Sequence, residues 1–376
     1  MIISEQTMLA KLDVARSVLL LEPNYSRKYL PLGLAKIATY LGNKPFVYHR
    51  YYKSYPCDLV CISSLFTYDL PQVLMSINEI RSYDAKVPII VGGICTSLMP
   101  EAFLSDTPSM ENVFVFVGTS QVLDTCVPSY YRVDWEMADP WDKFSFTFTT
   151  RGCPNRCGYC AVWRIEPKQY IVPNWSDHII GSKTYAMVSD NNLSSFPVEH
   201  VCAVTEKLQG CLGVIIDNGL DPKHVTPEVC KALGRLNFYR EGMRLSFDRI
   251  SEREKFIDAV TMLSKGGVNP ASMMAYCIFN YTDTFEEAFY RCSVCASVGV
   301  RPFPQHYTPL NTTNRHCHYI SPNWNMALIK AFGYYWRSQV YLCQDFMDFA
   351  ELNKTMYGLS VDDLSMIRTH IMTGRI

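Results

Sequence analysis

The chain has 376 residues, 48% of them hydrophobic and 19% charged, with 35 basic and 36 acidic side chains and a formal charge of −1. That composition excludes a disordered chain and carries no global basic surplus of the kind that marks nucleic-acid binders. The length suits two to three domains, no apolar stretch reaches membrane-spanning length, and the start lacks a signal-peptide layout, so a soluble cytoplasmic protein is expected.

Residues 14–125 alternate between strand and helix patterns. VARSVLLLEPN is an apolar run that breaks at Pro-Asn, and PLGLAKIATYLGN has helical periodicity ending on Gly-Asn. FVYHRYY and CDLVCISSLF read as strands, LPQVLMSINEIRSY as a helix, and KVPIIVGGI and NVFVFVG as further strands. Short apolar strands separated by helices predict a doubly wound parallel sheet, an α/β fold, over residues 1–125. Residues 126–143 read as a linker.

A second alternating series starts at Phe144. Its predicted strands are FSFTFTT, TYAMVS, LGVIID, RLSFD, MMAYCIF and PFPQHYT, with helical stretches such as PVEHVCAVTEKL, TPEVCKALGRL, SEREKFIDAVTMLSKGG and TFEEAFYRCSVCASVG between them. Six such units over 144–311 predict a partial parallel barrel with its site at the C-terminal strand ends. Residues 312–376 form an aromatic-rich helical extension.

The distinctive motif is RGCPNRCGYC at 151–160, which places Cys153, Cys157 and Cys160 in a Cys-x3-Cys-x2-Cys spacing. Most of the 15 cysteines sit in apolar context and read as buried packing residues, as do Cys292 and Cys295 within a helical stretch. The three at 153–160 differ, because their neighbours are the Gly, Pro, Asn and Arg of a polar loop. A structural zinc site takes four ligands, and a disulfide framework takes an even number of cysteines in an oxidising compartment. Three thiolates can instead hold three irons of a [4Fe–4S] cluster and leave the fourth open.

With Tyr159 before the last cysteine, the motif resembles the signature of the radical S-adenosylmethionine enzymes. The chain as a whole is similar to a poorly characterised branch of that family, found partly in phages, through DNGLDPK at 217–223, CIFNYTDTFEEAFYR at 277–291 and, in the front domain, LEPNYSRKYLPLGLAKI. The resemblance implies reductive cleavage of S-adenosylmethionine to a 5′-deoxyadenosyl radical that abstracts hydrogen from a substrate. It also implies a reductase or flavodoxin-like electron donor.

Further site residues follow from the same resemblance. Ser189, Asp190 and Asn191 would take the methionine amino group, with a helix-capping turn as the alternative. Lys223 would meet the carboxylate, where the branch has Arg. Ser246 and Asp248 would take the ribose hydroxyls, and Asn280 lies at the loop after the fifth strand. His306 ends the sixth strand, as an adenine neighbour, a substrate acid or base, or a structural side chain. The phage association points to a modified nucleotide or nucleic acid as substrate.

The front domain resembles the cobalamin-binding module attached to many of these enzymes. Ser63, Leu65, Gly92 and Gly93 correspond to its Ser-x-Leu and Gly-Gly motifs and would contact cobalamin. The loop LEPNYSRKYLPLG holds no His to ligate cobalt from below, and packing at a strand end is the alternative role of the glycines. The rival functions are a cobalamin-dependent methyltransferase and a non-enzymatic iron–sulfur or zinc sensor. His316-Cys317-His318 resembles a metal site but lacks an evident fourth partner, and Tyr334, Tyr335 and Trp336 are helical aromatics suited to a core.

Overall fold

A computed structural model of the chain describes residues 1–27, 29–51, 55–105, 107–180, 185–315 and 319–372. The chain divides into two compact units, 1–184 with 309–317, and 185–308 with 318–376. Among the described residues no helix is long and apolar enough to cross a membrane.

The first unit is built on a six-stranded sheet. Its strands are β1 (Ile2–Ile3), β2 (Val18–Leu21), β3 (Phe46–His49), β4 (Leu59–Ser64), β5 (Ile89–Gly93) and β6 (Val113–Phe116), in spatial order β1-β6-β5-β4-β2-β3. Every pairing is parallel. The runs VLLL and LVCI are wholly buried because helices cover both faces of such a sheet. The helix Leu70–Tyr83 packs Leu70, Val73, Ile77 and Ile80 against Leu19, Leu21, Val60 and Ile62, so its apolar stripe meets one face of the sheet. β1 and the helix Glu5–Val14, capped by the Ser4 hydroxyl, were not expected from the pattern.

The order of the strands reverses between β2 and β4. From β2 the chain moves outward to β3, and from β4 it moves the other way through β5 and β6. The two loops that leave β2 and β4 therefore diverge, opening a crevice at their C-terminal ends.

The six strands predicted after Phe144 all form: β7 (Phe144–Thr147), then β10 (Tyr185–Val188), β11 (Gly213–Leu220), β12 (Phe238–Ser246), β13 (Met273–Phe279) and β14 (Arg301–His306). In the second unit β10 to β14 are parallel neighbours in chain order. Their C-terminal ends share one edge, where open α/β sheets hold ligands. Between β7 and β10 lies an unexpected antiparallel ribbon, β8 (Thr150–Arg151) with β9 (Tyr170–Ile171).

Cys292 and Cys295 sit on the buried side of the helix Phe285–Ser297, and the Cys295 sulfur lies 3.8 Å from that of Cys277 in β13. Tyr335 and Trp336 are buried as expected, while Tyr334 is 48% exposed. The His316-Cys317-His318 segment lies outside the described residues.

Candidate iron–sulfur loop and strand-end site

The ribbon of β8 and β9 closes a loop that carries the three cysteines. Thr150 pairs with Ile171 and Arg151 with Tyr170, so residues 152–169 project as one excursion from a fixed base. Gly152 turns the chain out of β8 with φ +80°, and a Cβ there would lie 2.5 Å from the Lys168 carbonyl oxygen. Only glycine lets the two arms of the loop approach this closely.

Cys153, Cys157 and Cys160 are all half-buried, and none is in a disulfide. The Cys160 amide donates to the Cys157 carbonyl at 3.0 Å, forming a tight turn between the second and third thiols. The Trp163 indole N–H donates to the same carbonyl at 3.0 Å. The Val162 amide points at the Cys160 sulfur from 3.5 Å. Such N–H groups stabilise thiolate charge and tune iron–sulfur potentials.

The loop rests on a buried charge cluster that sequence reasoning did not find. Asp124 accepts from Lys36 Nζ at 2.6 Å, from Arg151 Nε at 2.9 Å and Nη2 at 2.7 Å, and from the Tyr170 hydroxyl at 2.8 Å. Arg151 reaches on to Glu166 at 3.0 Å, and the other Glu166 oxygen accepts from the Gly152 amide at 2.8 Å. The Arg151 guanidinium also lies 3.8 Å from the Phe148 ring centroid. Burial alone would raise the Asp124 pKa, but the two cations overcome it and hold the carboxyl well below its usual range. Burial, with Arg151 beside it, lowers Lys36 to about 8. One carboxylate shared by two cations leaves the lysine as the less compensated partner. The available signal was Arg151, the charged first residue of the motif, directly after the predicted strand FSFTFTT.

Among the described residues no three His, Cys, Asp or Glu side chains form a group placed to hold a metal ion.

In the second unit the predicted residues follow the strand ends. Asp190 is 1% exposed, and the Ser189 carbonyl accepts from Asn218 Nδ2 at 2.6 Å. Neighbouring Asn192 ties two loops together, its oxygen accepting from Ser194 at 3.0 Å and from the Asp221 amide at 3.3 Å. Lys223 is ion-paired with Glu252 at 2.6 Å, which raises its pKa. Ser246 is half-buried at the end of β12. One Asp248 oxygen accepts from the Ile278 amide at 2.8 Å, and the Asp248 carbonyl accepts from the buried Arg291 at 2.8 Å.

Asn280 and His306 are brought together. The Asn280 oxygen accepts from the Ser321 amide at 2.9 Å and its nitrogen donates to the Tyr319 carbonyl at 2.9 Å, which fixes the orientation of the amide. The same nitrogen lies 2.8 Å from His306 Nε2, which therefore accepts and places the ring proton on Nδ1. Asn280 is fully buried with φ +61°, a conformation that Asn tolerates better than most residues. Burial lowers the His306 pKa. Sequence reasoning also missed Asp217 on β11, which is paired with Arg244, while the Tyr276 hydroxyl joins both.

The residues expected to meet cobalamin have partners within the first sheet. The Tyr25 hydroxyl reaches the Ser63 hydroxyl at 3.1 Å, and the Ser64 hydroxyl donates to the Gly92 carbonyl at 3.1 Å. Gly93 has φ +128°, and a Cβ there would stand 2.3 Å from the Ser64 carbonyl oxygen. The close approach of β4 to β5 thus accounts for Gly93 without a ligand. Leu65 is half-buried just beyond β4. In the loop after β2, Glu22 accepts from Arg27 Nε at 2.6 Å and from the Tyr48 hydroxyl at 2.7 Å, so this segment is held by its own charges.

Comparison of the chain with known proteins finds no matching family model and no matching curated protein.

Proposed function

We propose that the protein is a radical S-adenosylmethionine enzyme in which Cys153, Cys157 and Cys160 hold a [4Fe–4S] cluster. The observation that carries this reading is the loop itself: three thiols in Cys-x3-Cys-x2-Cys spacing on one short excursion, footed on the Asp124–Arg151–Glu166 cluster. When bound, the cluster would supply the open iron and the electron for reductive cleavage of S-adenosylmethionine. Gly152 lets the loop leave β8, and Glu166 fixes that turn through its amide. The Val162 N–H directed at Cys160 favours the thiolate form there.

In the second unit we assign Ser189, Asp190, Asn191, Ser246 and Asp248 to the nucleoside cofactor, because they follow strand ends at the ligand-bearing edge of a parallel sheet. Lys223 would have to leave Glu252 to meet a carboxylate. The Asn280–His306 pair holds a neutral imidazole in one tautomer, suited to accepting or relaying a proton. The substrate class we assign, a modified nucleotide or nucleic acid, rests on the family resemblance alone.

The test is anaerobic reconstitution with iron and sulfide, followed by reduction in the presence of S-adenosylmethionine. The expected result is about four irons per chain and release of 5′-deoxyadenosine, with both lost on Cys153→Ser, Cys157→Ser or Cys160→Ser. A verified cluster that never yields 5′-deoxyadenosine would instead favour the sensor reading.

A further inference from the structure

The first unit contains a cavity of about 380 Å³ that the cluster chemistry does not use. Its lining includes Tyr25 from the loop after β2, Tyr68, Asp69 and Gln72 from the segment after β4, and Asn314 and Arg315. It therefore opens at the C-terminal ends of β2 and β4, where the strand order reverses and a doubly wound sheet forms its ligand crevice. The volume lies at the small end of the range for ligand sites, about 300–1,000 Å³, which suits a metabolite and not a polymer.

Asp69 and Arg315 give the cavity its chemistry. Asp69 is 2% exposed, and its Oδ2 atom has no hydrogen-bond partner among the described residues. It precedes the helix Leu70–Tyr83, yet its side chain makes no capping bond to that helix. Its other oxygen lies 3.7 Å from the Arg315 guanidinium, near enough for attraction but too far for a direct hydrogen bond. Arg315 is half exposed and stands 5.2 Å from the Tyr68 ring centroid. A buried carboxylate oxygen without a donor is costly, and burial raises the Asp69 pKa accordingly.

We propose that this cavity binds a small zwitterion of the α-amino acid class, its ammonium group on Asp69 and its carboxylate on Arg315. A simple cation would suit Asp69 but be repelled by Arg315, and a simple anion would meet the reverse. A neutral polyol would bring no charge to either group. An α-amino acid carries both charges on one carbon, matching two opposite protein charges held side by side. The flat guanidinium suits a carboxylate, and an ammonium supplies the donor that Oδ2 lacks. Gln72 and Asn314 line the same space with polar amides. The site uses residues of the first unit and needs no iron, so its test is separate from that of the radical chemistry.

The experiment is isothermal titration calorimetry of the full chain against each common L-amino acid, with methylamine and acetate as the two half-ligands. At least one amino acid is expected to bind with Kd of about 1 mM or tighter, and each half-ligand at least about tenfold more weakly. Asp69→Asn and Arg315→Gln should each weaken that binding by about tenfold or more. The half-exposed Arg315 variant, with its fold checked by circular dichroism, keeps the test decisive if the Asp69 variant does not fold. The proposal is overturned if no amino acid binds more tightly than about 10 mM. It is equally overturned if a half-ligand binds as well as the whole, or if folded Arg315→Gln binds like the native chain.

Discussion

Replacing Asp124 by Asn tests the charge cluster under the cysteine loop. The carboxylate accepts four hydrogen bonds, one from Lys36, two from Arg151 and one from Tyr170. Asn keeps one oxygen and turns a donating NH2 group toward these donors. Arg151 retains Glu166, but Lys36, with its side chain 4% exposed, loses its counter-charge. Removing one partner of a buried ion pair costs about 3–5 kcal/mol, and that is the loss expected for Asp124→Asn in guanidinium denaturation at pH 7. Lys36→Met should change stability by no more than about 1 kcal/mol, because Arg151 and Tyr170 still satisfy Asp124 and a costly buried cation is gone. The double variant should recover about 1–2 kcal/mol of the Asp124→Asn loss. The reasoning is refuted if Asp124→Asn costs under about 1 kcal/mol, or if Lys36→Met costs as much as Asp124→Asn.

Three other expectations use the same kind of measurement. Gly93→Ala should destabilise the protein by about 2 kcal/mol or more with no ligand added, whereas Gly92→Ala, whose Cβ would first meet Phe116 at 3.8 Å, should be tolerated; equal behaviour of the two would remove the packing account of Gly93. His178 is fully buried, and burial lowers its pKa from 6.5 to about 4. Between those pH values the unfolded chain binds a proton that the folded chain refuses, so stability should fall by up to about 3 kcal/mol as pH drops through the window. His178→Phe should flatten that slope, and an unchanged slope would assign it to other groups. Asn280→Asp cannot donate to the Tyr319 carbonyl and should lower stability by about 2–3 kcal/mol; a thermal midpoint equal to the native one would show that the Asn280 bridge contributes nothing.

Much of the architecture was legible because it is written locally. Short apolar runs and period-3.6 apolar patterns mark the five longer strands of the first sheet, the six strands from Phe144 onward and the helices between them. The cysteine loop was legible for a similar reason: its spacing and its polar neighbours lie within ten residues. β1 escaped notice because two residues carry no periodicity, and it exists through its pairing with β6 more than a hundred residues away. The ribbon of β8 and β9 was hidden likewise, since neither half is long enough to show a pattern.

Tertiary structure alone decided which charges share a partner. Lys36, Asp124 and Arg151 meet across separations of 88 and 27 residues, and Asp69 finds Arg315 from the far end of the chain. No local pattern announces such meetings, because a buried charge is tolerated only where distant segments bring its counter-charge, and that depends on how the whole sheet is wound. The same holds for Gly93. As a sequence, Gly-Gly after a strand suits either a ligand or a tight strand contact, and only the position of the Ser64 carbonyl supplies the steric reason for a missing side chain.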